Sequence, residues 1–267
     1  MISIKLILML AVLVAGALGG ALPLHAAGEV RTGRFLGWGN ALAAGVLLGA
    51  GLIHMLPDAD SAWRALGIEY PMAFLLATCA FVLMLLFEHV LLPDSAHQAM
   101  HAPSDDRFAH MDAHTHAHGG FEAYAVLTAL SIHSFLAGAA LGARAGLAGT
   151  LVIFAAIMAH KSTAGFALGV SLVRSGLSRQ RAWGMLTIFA VSTPFGIVAG
   201  TALGETLQGD AQQVAQAVLL ALGAGTFAYV ATLDILRDEL VAPGGRWSKW
   251  LMVCAGTGLM ALLALWV

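Results

Sequence analysis

Two histidines stand in the middle of apolar stretches, and each begins a ten-residue segment of nearly the same spelling. The first segment is HSFLAGAALG from His133 and the second is HKSTAGFALG from His160, and six of the ten letters agree in register. An ionisable side chain deep in a bilayer is costly, so by default it marks a functional site. Neutral imidazole is also the commonest metal ligand among side chains. The repeat therefore predicts one metal site shared by two neighbouring helices.

Small residues follow both histidines at helical spacing. They form two small-xxx-small patterns, which let helix backbones approach closely, at Gly138, Gly142, Gly165 and Gly169. The alternative for each histidine is a simple hydrogen bond to a carbonyl on a neighbouring helix. We favour the metal site because the histidine is repeated and because Ser134 and Lys161 stand beside the pair.

The composition is that of a membrane protein. Of 267 residues, 59% are hydrophobic and 10% are charged, whereas a soluble domain carries about 25% charged residues. Lipid requires every backbone polar group to be bonded internally, so we predict an all-α integral membrane protein. The net charge of −2 argues against nucleic acid as a partner. Cys79 and Cys254 lie in apolar runs and indicate no disulfide framework.

Eight stretches are long and apolar enough to cross a bilayer, which takes about 20 residues. They are 3–24, 36–57, 70–93, 121–143, 147–172, 182–204, 212–235 and 247–267. No soluble domain lies between them, so residues 1–267 form a single transmembrane domain. The first stretch resembles a secretory signal, but its apolar run is longer than the usual signal core, and we predict that residues 1–28 are retained as a span.

Basic residues in the short loops predict the orientation, because cytoplasmic loops are enriched in Lys and Arg. With the N-terminus outside, the outer regions hold Lys5, Arg64 and Arg144, and the cytoplasmic loops hold Arg31, Arg34, Arg107, Arg174, Arg179, Arg181, Arg237, Arg246 and Lys249. We therefore expect both termini outside, in a multi-pass protein of the cell membrane, whether inner or plasma membrane.

The longest connection, residues 94–120, is rich in histidine and on this topology is cytoplasmic. Four of its histidines could bind metal weakly: His110, His114, His116 and His118. Binding there should be loose, because a flexible loop loses entropy when it arranges ligands. We expect a solvated linker that is not essential for the main function.

Several motifs together resemble the ZIP (Zrt/Irt-like) family of divalent metal transporters. Span two ends in His-Met-Leu-Pro-Asp from His54 to Asp58, and span three ends in Phe-Glu-His-Val. Span seven carries Gly-Thr-Phe-Ala-Tyr-Val and Leu-Asp-Ile-Leu. His133–Ser134 and His160–Lys161 match the paired positions that supply ligands in the family. The resemblance implies a ZIP-like bundle of eight transmembrane helices that moves a divalent metal, chiefly zinc, and it makes Ser134 a candidate ligand.

One departure from the family pattern concerns charge. Alanine stands at Ala137 and Ala164, where family members usually carry an acidic residue, and neutral imidazoles supply no countercharge to a buried dication. The resemblance implies that Lys161 replaces the second metal of binuclear members, which leaves a mainly single-metal site. A carboxylate could come from Asp234, Glu88 or Asp58, and His54 with Asp58 could form an entrance pair.

The predicted function is transport of a divalent transition metal, most simply zinc uptake into the cytoplasm. Zinc is then the cargo, no prosthetic group is expected and the protein is not an enzyme. Two alternatives stay open: a transport-defective ZIP-like metal-binding sensor and an intramembrane metallohydrolase, although no His-Glu-x-x-His motif accompanies the histidines. The expected partners are the metal ion and the lipid bilayer. A homodimer stays open, as does the metal, since imidazole suits zinc, copper, nickel and iron alike.

Overall fold

The computed structural model describes residues 2–26, 32–90, 115–144, 146–241 and 245–265, and this part of the chain is built of helices. It forms eight helical rods, which confirms the predicted all-α membrane fold. Seven of the rods are long and apolar enough to cross a membrane, and the exception is the last. The rods are α1 (Ile2–Ala26), α2 (Thr32–Gly49, continuing to Ala65), α3 (Met72–His89), α4 (Thr115–Ala143), α5 (Leu147–Arg174), α6 (Arg179–Thr206), α7 (Asp210–Tyr229, continuing to Val241) and α8 (Arg246–Leu263).

Two rods contain a wider π-helical turn. In α2 the turn spans Ala50–Met55 and in α7 it spans Val230–Leu236, after which both return to α-helix. The sequence placed the ends of these spans near residues 57 and 235, but the helices continue to Ala65 and Val241. Pro57 does not end α2, because it stands in the first turn after the π segment, where a missing backbone N–H costs little.

The rods pack as two groups, with α1, α4, α5 and α6 in one and α2, α3, α7 and α8 in the other; α4 and α5 also contact α7 and α2. The glycine faces serve contacts within the first group. A Cβ added at Gly138 or Gly142 would lie 2.3 or 2.2 Å from a carbonyl oxygen of α6, and one added at Gly165 or Gly169 would lie 2.3 or 2.5 Å from a carbonyl oxygen of α1. The small faces therefore bring α4 to α6 and α5 to α1.

The first helix is packed as part of the bundle. Its Gly19 and Gly20 lie against the backbone of α5. Near its start, Lys5 Nζ donates hydrogen bonds to the carbonyl oxygen of Gly142 (2.8 Å) and to Thr201 Oγ1 (3.1 Å). One lysine of α1 therefore joins the ends of α4 and α6.

The predicted histidine loop falls largely on residues 91–114, which lie outside the described residues, and these include His110 and His114. The helix α4 begins at Thr115, so the last part of the predicted loop, up to residue 120, is helical. His116 and His118 lie in its first turns, where the structure describes the backbone only.

Candidate metal centre

The two repeated histidines face each other at the contact between α4 and α5. Their ring centroids lie 5.8 Å apart and the rings are inclined by 72°. Both side chains are almost fully buried, with 2% of His133 and 3% of His160 exposed. Two buried ring nitrogens make no well-formed hydrogen bond among the described residues, His133 Nε2 and His160 Nδ1, although the His160 ring lies close to the backbone carbonyl of Ala156. A buried polar atom of this kind is unusual and points to a missing ligand.

The tautomer of His133 follows from its partners. His133 Nδ1 lies 3.0 Å from the carbonyl oxygen of Gly223 and 3.2 Å from Thr226 Oγ1. A carbonyl oxygen can only accept, so Nδ1 donates and carries the proton. In neutral imidazole the other nitrogen then has a free lone pair, which is the form that binds a metal. The Gly223 carbonyl of α7 thus leaves His133 Nε2 unprotonated, with a lone pair that could bind a metal.

The spacing of the rings fits one shared ion. Zinc binds imidazole nitrogen at about 2.0–2.1 Å, which puts each ring centroid about 3.2 Å from the ion. Two such rings around a tetrahedral ion then have centroids about 5.2 Å apart, and about 6.4 Å apart if the ligand–metal–ligand angle opens fully. The observed separation lies between these limits.

Phe227 of α7 forms an aromatic wall on this pair. Its ring stacks on His133 with a centroid distance of 3.2 Å and meets His160 edge-on at 4.8 Å. Phe227 is fully buried. The end of the Met55 side chain also approaches this corner, since a Cβ on Gly223 would lie 2.6 Å from Met55 Cε and 3.7 Å from His133 Cε1. Apolar groups therefore hold both imidazoles in place and restrict access by water.

Lys161 lies beside the pair and forms a hydrogen bond with the candidate ligand Ser134. Its Nζ donates to Ser134 Oγ (2.9 Å) and to Thr193 Oγ1 (2.8 Å). The ammonium also lies 3.8 Å from the centroid of the Phe189 ring, a cation–π contact. Lys161 is 2% exposed. The Lys161 side chain therefore competes with any metal ion for the Ser134 oxygen.

Ala137 and Ala164, where the family resemblance led us to expect acidic residues, are both buried. Ala137 packs in an apolar cluster with Val12, Leu141 and Ile157, and Ala164 belongs to the main hydrophobic core. Among the described residues, no group of three or more His, Cys, Asp or Glu side chains is arranged to hold a metal. Two imidazoles fill only half of the four positions that zinc usually takes, so carbonyl, hydroxyl or water oxygen must supply the rest.

His54 and Asp58 lie on the side of the pair towards the ends of α2 and α4. His54 Nδ1 is 3.5 Å from Asp58 Oδ2, and His54 is close enough to His160 to interact with it electrostatically. His54 is buried, whereas the Asp58 side chain is 45% exposed. The π-helical turn of α2 carries His54, and such turns are frequent at functional sites.

Asp58 lines a large cavity, here called the Asp58 cavity. It offers about 740 Å³ to water and is lined by Asp58, Ser61, Arg144, Gln212, Gln213 and Gln216 among others. Arg144 Nη1 donates to Gln216 Oε1 (2.9 Å), which fixes one cation in its wall. Asp58 thus lies in the wall of this cavity, and its carboxylate is next to the buried His54.

Asp234 lies at the opposite end of the bundle, in what we call the Asp234 cavity. This cavity offers about 70 Å³ to water and is lined by Asn40, Glu88, His89, Ser171, Arg174, Asp234 and Arg237 among others. Tyr229 donates a 2.7 Å hydrogen bond to Glu88 Oε2 and lies 3.3 Å from His89 Nδ1. Asp234 follows Phe227 by seven residues, about 10 Å along the helix. From the sequence, Asp234 and Glu88 were candidates to supply a carboxylate to the histidine pair. The structure places both of them in the Asp234 cavity, away from the pair.

Comparison with known proteins identifies the family. A family model described as ZIP Zinc transporter matches residues 2–120 and 92–264. The chain belongs to the ZIP family. Human Zinc transporter ZIP2 is 32% identical over 264 residues, covering 85% of this chain and 84% of that protein. Zinc transporter ZIP1 of Danio rerio is 30% identical over 251 residues, covering 84% and 83%. Probable zinc transporter 12 of Arabidopsis thaliana is 27% identical over 307 residues, covering 98% and 86%.

The family confirms several sequence predictions. ZIP proteins are transporters and not enzymes, so the chain is a multi-pass membrane transport protein, and the metallohydrolase alternative is set aside. A divalent metal ion is the family's substrate.

Some of the groups around the site were missed by sequence reasoning. The Gly223 carbonyl, Thr226 and Phe227 all contact His133 from α7. The motif Gly-Thr-Phe that begins at Gly225 is a family feature. Its sequence does not show that the carbonyl of Gly223, two residues earlier, orients His133 of α4. That contact depends on how α4 and α7 cross.

Proposed function

We propose that this ZIP protein carries zinc across the cell membrane, inner or plasma, into the cytoplasm through a mainly single-metal site at His133 and His160. The observation that carries the proposal is the pair of buried imidazoles whose bare nitrogens belong to rings 5.8 Å apart. The relatives named as zinc transporters support the choice of ion.

The proposed route runs between the two cavities. The ion enters the Asp58 cavity, is drawn by the Asp58 carboxylate and His54, binds between His133 and His160, and leaves through the Asp234 cavity past Glu88. Two cavities that each have a carboxylate in the wall support a path between them, Asp58 in one and Glu88 with Asp234 in the other. The basic residues favour an orientation with both termini outside and the histidine loop inside. In this orientation the Asp234 cavity faces the cytoplasm.

Replacement of either histidine tests the site. We expect His133→Ala and His160→Ala to abolish zinc uptake into vesicles reconstituted with the purified protein and loaded with a zinc-sensitive dye. His25→Ala is the matched control, because His25 is an exposed histidine at the end of α1, with a hydrogen bond to the Ala21 carbonyl and an edge-on contact to Trp183. Zinc uptake at the wild-type rate by a folded His133 or His160 variant would refute the site.

The second candidate is a ZIP-like sensor that binds metal without moving it. The buried Ala137 and Ala164 favour it, because the site then carries little negative charge to neutralise a dication. Equilibrium binding and flux measured on one preparation separate the two functions. Binding that depends on His133 and His160 together with zinc flux supports transport, whereas the same binding without flux supports the sensor.

A further inference from the structure

A fully buried carboxylate lies near the end of α7 and is held by three groups. Arg174 Nη2 lies 2.6 Å from Glu239 Oε1, and Lys249 Nζ lies 3.0 Å from Glu239 Oε2. Asn40 Nδ2 donates to Glu239 Oε1 at 2.9 Å. No part of the Glu239 side chain is exposed. Burial of a charge without partners costs several kcal/mol or more, so these contacts are what allows a carboxylate here.

The three partners differ in which helices they join. Asn40 on α2 and Lys249 on α8 belong to the same group of rods as Glu239 on α7, and Lys249 Nζ also donates to the Glu239 carbonyl at 2.7 Å. Arg174 belongs to the other group, because it is the last residue of α5. The contact between Arg174 and Glu239 therefore crosses between the two groups of rods.

The crossing contact forms part of the Asp234 cavity. Arg174 and Asn40 both line this cavity. The cavity offers about 70 Å³ to water, against about 740 Å³ for the Asp58 cavity at the other end. Arg174 also lies on the helix that carries His160, 14 residues or about 21 Å further along. A movement of α5 relative to α7 would change the metal site and this contact together.

We propose that the ion pair of Arg174 and Glu239 is a latch that keeps the Asp234 end of the route narrow, and that this pair must separate for an ion to pass at that end. When Arg174 leaves, Lys249 Nζ stays 3.0 Å from Glu239 Oε2 and Asn40 still donates to Oε1, so the buried charge keeps a cation beside it. The Arg174 side chain is 42% exposed and has water available once released. This proposal rests on metal transport by the chain but on no particular direction of transport.

The test measures the opening of the cavity and not the flux. Ser171 lines the Asp234 cavity one turn before Arg174, so Ser171→Cys in a background with Cys79→Ala and Cys254→Ala reports accessibility to a membrane-impermeant maleimide. We expect Arg174→Gln to raise the labelling rate about five-fold, the shift expected when one partly exposed ion pair is lost. Arg174→Lys keeps the charge and should label at nearly the unmodified rate.

Lys249→Met is the matched control. It removes the other cation from Glu239 but leaves the crossing contact, so we expect a lower melting temperature and unchanged labelling of Cys at position 171. Equal labelling of the Arg174→Gln and unmodified proteins, both shown folded by size-exclusion chromatography, would overturn the latch, as would equal acceleration by Lys249→Met. His133→Ala in the same background separates the two proposals, because it should stop zinc uptake and leave the effect of Arg174→Gln on labelling intact.

Discussion

Removal of the buried Lys161 amine beside the histidine pair should make this site bind zinc more tightly to the extent that the amine is protonated. Lys161→Met keeps the length and apolar packing of the side chain but removes the charge next to Ser134 and Thr193. If Ser134 Oγ coordinated zinc, the ion would lie within about 5 Å of Lys161 Nζ, because that oxygen is 2.9 Å from the nitrogen. Repulsion between a dication and an ammonium at this distance is roughly 7 kcal/mol at an effective dielectric constant of 20.

A repulsion of this size disfavours zinc at Ser134 Oγ while Lys161 carries its charge. The repulsion weakens with distance, and relaxation and water reduce it further, so we set the expected effect conservatively. Lys161→Met should raise the equilibrium affinity for zinc at least about tenfold, which corresponds to about 1.4 kcal/mol. Flux should fall, because an ion that binds more tightly leaves more slowly.

The assay is zinc binding to the purified protein in nanodiscs, by competition with a chelator of known affinity. Thr193→Val is the control, since it removes one acceptor of the Lys161 ammonium but keeps the charge, and it should leave the affinity close to that of the unmodified protein. An affinity of Lys161→Met equal to or weaker than that of the unmodified protein would refute the electrostatic reasoning.

Two further predictions concern packing and the histidine loop. Gly142→Ala should lower the free energy of unfolding by about 1–3 kcal/mol, because its Cβ would lie 2.2 Å from the Ile197 carbonyl oxygen. Gly184→Ala is the control and should not lower it, because no atom of another element lies within 4 Å of the added Cβ. Thermal melting in detergent compares the two variants, and equal losses would contradict the packing argument. Replacement of His110, His114, His116 and His118 by serine should leave the initial rate of zinc uptake unchanged, and a large loss in vesicle uptake would make the loop part of the transport route.

The helices could be predicted well from the sequence because lipid leaves few alternatives. An apolar run of about 20 residues must be helical to satisfy its backbone, whatever its neighbours are. The ends of α2 and α7 were placed too early because each helix continues through a π-helical turn, which hydropathy does not detect. Pro57 is tolerated within α2 because it lies in the first turn of the α-helical part that follows the π-helical turn.

The partners of each helix could not be predicted in the same way. The glycine patterns after His133 and His160 predicted close helix packing without naming the partner helices, which the structure shows to be α6 and α1. A glycine shows that some backbone approaches closely but does not show which one. The position of Asp234 was uncertain for the same reason, since its depth depends on the crossing of α7 with α3 and α2.

The membrane class, the family motifs and the two histidines could be inferred without a structure, because the cost of polar groups in lipid depends on residue type and span length. Three contacts could be found only from the fold: the Gly223 carbonyl with His133, Lys161 with Ser134, and Arg174 with Glu239. These contacts join residues that are 27 to 90 positions apart along the chain, so they depend on how rigid helices cross and not on local spelling. In the proposed site the two histidines are the ligands, and the packing of α4, α5 and α7 sets the tautomer of His133 and the orientation of both rings.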